Sequence, residues 1–132
     1  MRNVGSRLWA SAPLVRLIAG AVSVALVFSL LYFGGQPEAA GLFRPPLDKV
    51  AHFGLFFILG STLWLADLGR HPLAVIVVVT AVGVVDEWRQ LYLPGRQSDL
   101  SDLLVDIVGT LAAVIGLSLL WHLWGLNRAS VG

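Results

Sequence analysis

The sequence predicts an all-α integral membrane protein, a four-helix bundle with both termini on the cytoplasmic side. Three observations point there. Of 132 residues, 57% are hydrophobic and only 13% are charged, with a mean hydropathy of +0.80. A water-soluble domain carries about 25% charged residues, and a chain this short would need a polar surface that these residues do not supply. Four segments also have the roughly 20 mostly apolar residues that crossing a bilayer requires. Finally, the acidic residues collect toward one end of those segments.

The first segment runs over about 14–33, from Leu14 to Phe33, with Arg16 near its start. It is read as a retained anchor: its apolar run is longer than a signal-peptide core, and Glu38 stands where cleavage would want a small residue. Gly34, Gly35 and Pro37 end it, and Pro45-Pro46 precede the second segment, 49–68, with Asp48 as a plausible N-cap. Gly69 and Pro72 separate the second segment from the third, 72–92, whose last two turns hold Asp86, Glu87, Arg89 and Gln90. Pro94-Gly95 suits a tight turn. The fourth segment, 100–124, carries Asp102 and Asp106 in its first two turns. With no internal repeat or long linker, residues 1–132 read as one domain.

With four spans, Arg2, Arg7, Arg16, Arg70 and Arg128 share the side of the termini, and Arg44, Lys49, Arg89 and Arg96 lie opposite. The excess is slight, but it falls before the first helix, which places both termini in the cytoplasm. Aromatic residues fit two interfaces, with Trp9, Trp64, Trp121 and Trp124 toward one and Tyr32, Trp88 and Tyr92 toward the other. The net charge of +1 offers nothing to nucleic acid, and the absence of cysteine excludes disulfides and thiolate metal sites.

Acidic residues divide unevenly. Asp67 alone lies on the inner side, whereas Glu38, Asp48, Asp86, Glu87, Asp99, Asp102 and Asp106 lie on the outer. Asp48 and His52 are spaced i,i+4, as are Asp86 and Gln90. Asp99, Asp102 and Asp106 begin a stripe that continues through Gly109, Ala113 and Gly116. Small residues at that spacing let helices approach closely, so the acidic stripe is expected to face the bundle, as are Thr80, Gly83 and Glu87. Asp106 sits about six residues into its helix, roughly 9 Å deep. An ionised aspartate at mid-membrane costs about 2.5–3.5 kcal/mol on the insertion scale. Arg96, Lys49 and protonated His52 are the partners available to offset that cost. Helix capping and the helix dipole account for Asp48 and Asp99. Intramembrane charge is usually functional, which singles out Asp86, Glu87, Asp102 and Asp106. His71 and His122 lie near the other interface, away from any acidic cluster.

Three runs together carry a family resemblance. These are Asp48-Lys49-Val50-Ala51-His52-Phe53, then Asp86-Glu87-Trp88-Arg89-Gln90, then Pro94-Gly95-Arg96 leading to Asp99, Asp102, Asp106 and Gly109. In this order, each at a helix end, they resemble the VanZ-like family over about Leu47 to Gly116. The resemblance implies a small, multi-pass protein of the bacterial cytoplasmic membrane. The founding member of that family is linked to low-level resistance to the glycopeptide teicoplanin.

The function expected is binding of, or action on, a cell-envelope lipid, lipid-linked glycan or lipoglycopeptide at the outer face. Lys49, Gln90, Arg96 and Asp106 are the binding candidates. An alternative is an enzyme acting on a phosphorylated lipid. His52, Asp86, Glu87 and Asp102 would then be catalytic residues, or ligands of a divalent cation, with Arg96 holding a phosphate or carboxylate. No nucleophile stands out. A proton or cation path is a third class, opposed by the apolar stretches Leu73–Val79 and Leu111–Leu120, where Ser118 is the one polar side chain. Such a path would require oligomerisation. Membrane lipids are expected partners in every case.

Overall fold

The structure, a computed structural model, describes the backbone of residues 4–39 and 41–129 and the side chains of 12–36, 38–39 and 41–124. Four α-helices occupy the described residues: α1 (Val4–Phe33), α2 (Leu47–Asp67), α3 (Pro72–Gln90) and α4 (Leu100–Ala129), with a 3₁₀ turn at Pro37–Ala39. The fold is all-α. Three helices are long and apolar enough to cross a membrane, over Ala12–Phe33, Leu47–Asp67 and Leu100–Trp124. The third helix has 19 residues, about 28 Å at the helical rise. Asp86, Glu87 and Arg89 in its last turns set it apart by composition.

Element boundaries follow local chemistry, with two departures from the sequence reading. Helix α1 starts at Val4, ten residues before the expected Leu14, and passes through Pro13. Asp48 is not an N-cap: α2 begins one residue earlier at Leu47, Pro46 holds the cap position, and no side chain caps it. Asp48 instead sits in the first turn, where an acid favours the helix dipole. Asp99 does cap α4. Its carboxylate accepts the N–H of Ser101 at 2.8 Å, and its carbonyl accepts that of Asp102 at 2.9 Å. Between α3 and α4, the N–H of Arg96 reaches the carbonyl of Leu93 across Pro94 and Gly95. Gly95 has φ +76°, which suits the type II turn that proline followed by glycine favours.

Helix α2 is central, packed between α1, α3 and α4, while α3 packs chiefly on α4. Its contact with α4 is close because small residues lie in the seam. A Cβ added at Gly109 would come within 2.7 Å of the Phe53 carbonyl oxygen, and one at Gly60 within 3.3 Å of the Ala113 Cβ. Gly116, the last member of the expected small-residue stripe, has nothing within 4 Å of such a Cβ and takes no part in the seam. The core beside it is Phe56, Leu59, Trp64, Val75, Val79 and Val114. Trp64 is therefore not an interfacial anchor. It is buried, donates its indole N–H to Ser118 at 3.0 Å and stands edge-to-face with Trp121. Ser23 of α1 donates to Thr62 of α2 at 2.8 Å. Large apolar side chains on the outer faces, among them Leu17, Val24, Leu73, Val77 and Leu119, are exposed, as lipid-facing positions would be. The side chains of Arg2, Arg7, Trp9 and Arg128 lie outside the described residues.

Candidate functional site

Antiparallel packing brings the C-terminal ends of α1 and α3 to the N-terminal ends of α2 and α4. That end collects the charge. Helix α3 turns a stripe of Val75, Val79, Gly83, Asp86, Glu87 and Gln90 inward, at helical spacing. Helix α4 does the same with Asp102, Asp106, Gly109, Thr110 and Ala113. Both stripes are apolar or small deep in the bundle and acidic at its end. Asp106 is 1% exposed, Asp86 3%, Glu87 6% and Asp102 9%.

Three groups of contacts organise these side chains. Lys49 lies among acids: it donates to Asp102, to Asp99 at 2.8 Å, and sits 3.7 Å from Asp48. Its hydrogen bond holds the exposed Asp99 carboxyl well below the usual carboxylate range, with the capping contact to Ser101 adding to the effect. Deeper in, His52 Nδ1 and Asp106 Oδ1 are 2.9 Å apart, and His52 Nε2 is 3.9 Å from Asp102. Of the three partners expected for Asp106, the fold therefore supplies His52. On α3, Gln90 donates to Asp86 at 3.0 Å and approaches Glu87 at 3.5 Å. The Ser98 hydroxyl and the Asp99 N–H donate to Glu87 at 3.0 and 2.8 Å, which ties the α3–α4 loop to α3. The i,i+4 relation between Asp48 and His52 produces no bond.

Arg96 stands at the rim. It donates to the carbonyl of Ala39 at 3.4 Å and bonds to none of the buried carboxylates. The expectations passed over Arg89, yet its guanidinium lies 3.8 Å from Asp86 and against the end of α1, where a Cβ at Gly35 would meet it at 2.8 Å. The signal for Arg89 in the sequence was its i,i+3 spacing from Asp86.

Several buried polar atoms at this end have no hydrogen-bond partner among the described residues: Asp48 Oδ1, Arg89 Nη1, Arg96 Nε and Asp106 Oδ2. Asp106 Oδ2 faces α3, 3.2 Å from where a Gly83 Cβ would be. A closed structural network satisfies its members, because an unpaired buried group costs about 1–3 kcal/mol. Among the described residues, no group of three His, Asp or Glu side chains is disposed to hold a metal ion. His52 contacts Asp106 and Asp102, Asp86 pairs with Gln90, Glu87 with Ser98 and the Asp99 N–H, and Asp102 with Lys49.

The opposite end is simpler. Asp67 caps the turn into α3 through His71, whose Nδ1 is 3.0 Å away, and Arg16 donates to the Ala66 carbonyl at 2.9 Å. An open groove of about 340 Å³ there, lined by Arg16, Leu63, Asp67, His71 and Val75 among others, contains none of the clustered carboxylates.

A family model described as VanZ/LLP1 matches residues 8–122, which takes in all of α2 and α3, most of α1 and α4, and the whole charged end. No curated protein and no solved structure matches the chain.

Proposed function

The chain belongs to the VanZ/LLP1 family, and on that premise we propose that it binds the polar head of a cell-envelope lipid, lipid-linked glycan or lipoglycopeptide. It does so from the bacterial cytoplasmic membrane, with both termini inside and the charged end of the bundle outward. The observation that carries this reading is the set of buried carboxylates at one end, of which Asp106 keeps an oxygen with no hydrogen-bond partner among the described residues. Intramembrane charge is costly and is retained where it works. A head group bearing hydroxyl or amine donors would satisfy Asp106 and Asp48, while its tail lies along the apolar outer faces of the helices. The polar cluster ends where Phe56, Val79 and Val114 close the core, which argues against a path for ions through one copy of the chain.

The test is thermal unfolding of purified protein in maltoside detergent, titrated with a polyprenyl phosphate, a polyprenyl-linked glycan and teicoplanin. A ligand that binds the native state stabilises it by about 2.7 kcal/mol at a hundredfold over its Kd. At least one of the three is expected to raise the midpoint, and Asp86→Ala or His52→Ala to abolish the rise. An unchanged midpoint across all three would remove the reading.

A second reading rests on one contact. With Nδ1 bonded to Asp106, His52 is oriented like a histidine held by a carboxylate, and Nε2 is left to accept or deliver a proton. Such a pair suits acid–base chemistry on the same head group. Turnover of a bound polyprenyl phosphate or linked glycan, lost in His52→Gln with binding retained, would establish it.

A further inference from the structure

Arg89 and Arg96 share a set of features that helix capping and ion pairing do not explain. Each comes from a different segment, the last turn of α3 and the turn before α4. Both reach the same short stretch of chain after α1: Arg89 lies against Gly35, and Arg96 donates to Ala39. Arg89 stands 3.8 Å from Asp86 without a hydrogen bond to it, and Arg96 bonds to no carboxylate among the described residues. Each keeps a buried N–H with no hydrogen-bond partner among the described residues, on Arg89 Nη1, which faces Asp86, and on Arg96 Nε. A guanidinium is always charged and presents planar donors that match the oxygens of a tetrahedral oxyanion.

The charged end is also uneven in its balance of charge. Around Lys49 stand Asp48, Asp99 and Asp102, an excess of acid. Glu87 is occupied by Ser98 and the Asp99 N–H. Around the two arginines stand Asp86, Glu87 beside it and Glu38 on the stretch after α1, so the guanidiniums are roughly balanced there and this half is less acidic than the Lys49 half. An anion is opposed less there than beside Lys49.

Resting on the head-group reading above, we propose that Arg89 and Arg96 together form a phosphoryl-binding cradle, closed by the Gly35–Ala39 segment. The ligand group is a phosphate monoester or diester, whether from a lipid head group or free in solution. Oxygens of the phosphoryl group take up the two unpaired N–H groups. The acidic half then faces the remainder of the head group, where hydroxyl or amine donors belong. Gly35 is part of the site: a methyl group there would push the Arg89 guanidinium aside. That side-chain end is flexible and gives way, while the Leu31 carbonyl oxygen, 3.2 Å from such a methyl group, has only to shift slightly.

The full chain in maltoside detergent, which contributes no phosphate, is titrated with short-chain phosphatidic acid, with inorganic phosphate and with the matching diacylglycerol. Native mass spectrometry reads the affinity. Phosphatidic acid is expected to bind and diacylglycerol not to. Arg89→Gln, Arg96→Gln and Gly35→Ala are each expected to weaken binding about tenfold or more, the size of a lost charge-assisted contact. Inorganic phosphate bound as well as the lipid, with the same dependence on both arginines, also supports the cradle and identifies free phosphate as a sufficient ligand. Phosphatidic acid that fails to bind, or that binds all three variants undiminished, overturns the proposal. Arg89→Gln that lowers the unfolding midpoint with affinity unchanged makes Arg89 a counter-charge for the end of α1, and likewise overturns it. Binding of a polyprenyl-linked glycan that is lost in Asp106→Asn and insensitive to both arginines overturns the cradle alone and leaves the head-group reading standing.

Discussion

Of the ion pairs at the charged end, that of Asp106 and His52 is the most deeply buried. Truncating one partner of a buried pair leaves the other charge uncompensated, at a cost of about 3–5 kcal/mol. His52→Ala, which strands a carboxylate that is 1% exposed, is therefore expected to lower stability by about 3 kcal/mol in detergent unfolding. A loss below about 1 kcal/mol, the scale of an exposed pair, would show that the two groups are not coupled. Asp99 offers a contrast at the surface. Its carboxyl is held low by Lys49, so the stabilisation that its charge provides is present above the ordinary carboxylate range. That contribution fades only as pH falls through the lowered value. Asn at this position keeps the cap and removes the charge. Asp99→Asn is thus expected to melt below wild type at pH 7, and the gap to close in strong acid. A gap constant across pH would assign the effect to capping. At this scale the sequence was informative about the acids, because helical spacing and intramembrane cost both act on single residues. For Arg89 it offered the i,i+3 spacing from Asp86 but not the meeting with the end of α1, which lies more than fifty residues away in the chain.

Among the elements, the α2–α4 seam fixes the site, since it sets Lys49 and His52 opposite Asp102 and Asp106. Gly109→Leu would drive a side chain into the Phe53 carbonyl, which lies 2.7 Å from a bare Cβ. Overpacking of this kind costs about 1–3 kcal/mol or more, and ligand binding should fail with it. Gly116→Ala meets open space within the chain and is expected to be neutral or slightly stabilising through helix propensity. Equal destabilisation by both, measured by unfolding in detergent, would mean that the seam lies elsewhere. Hydrophobic runs and their Gly-Pro punctuation made four helices legible, and the small-residue stripe was legible as far as Ala113. The stripe overran at Gly116, where its spacing continues but the partner helix no longer faces it. Trp64 misled for a related reason: tryptophan is amphipathic, and at this position its N–H finds Ser118 in the core, where an interface was expected.

For the molecule as a whole, the antiparallel order of helices places the start of α1 and the end of α4 at one end and the charged cluster at the other. The natural absence of cysteine makes the orientation in the membrane easy to read. Arg44→Cys, in the connection between α1 and α2, is expected to react with a membrane-impermeant maleimide in intact cells. Ser130→Cys is expected to react only after permeabilisation, and the reverse pattern would invert the topology. The central claim is that the charged end is a ligand site and not a self-contained ion network, and Asp106→Asn separates the two most directly. Asn keeps an oxygen for His52 but removes the charge, so the ligand-free protein is expected to melt below wild type, as His52→Ala does. The decisive measurement is the shift in unfolding midpoint that a polyprenyl phosphate or a polyprenyl-linked glycan produces in wild type and in Asp106→Asn. A rise in wild type that is lost in Asp106→Asn is expected. A rise of equal size in both proteins would contradict a ligand site at the charged end.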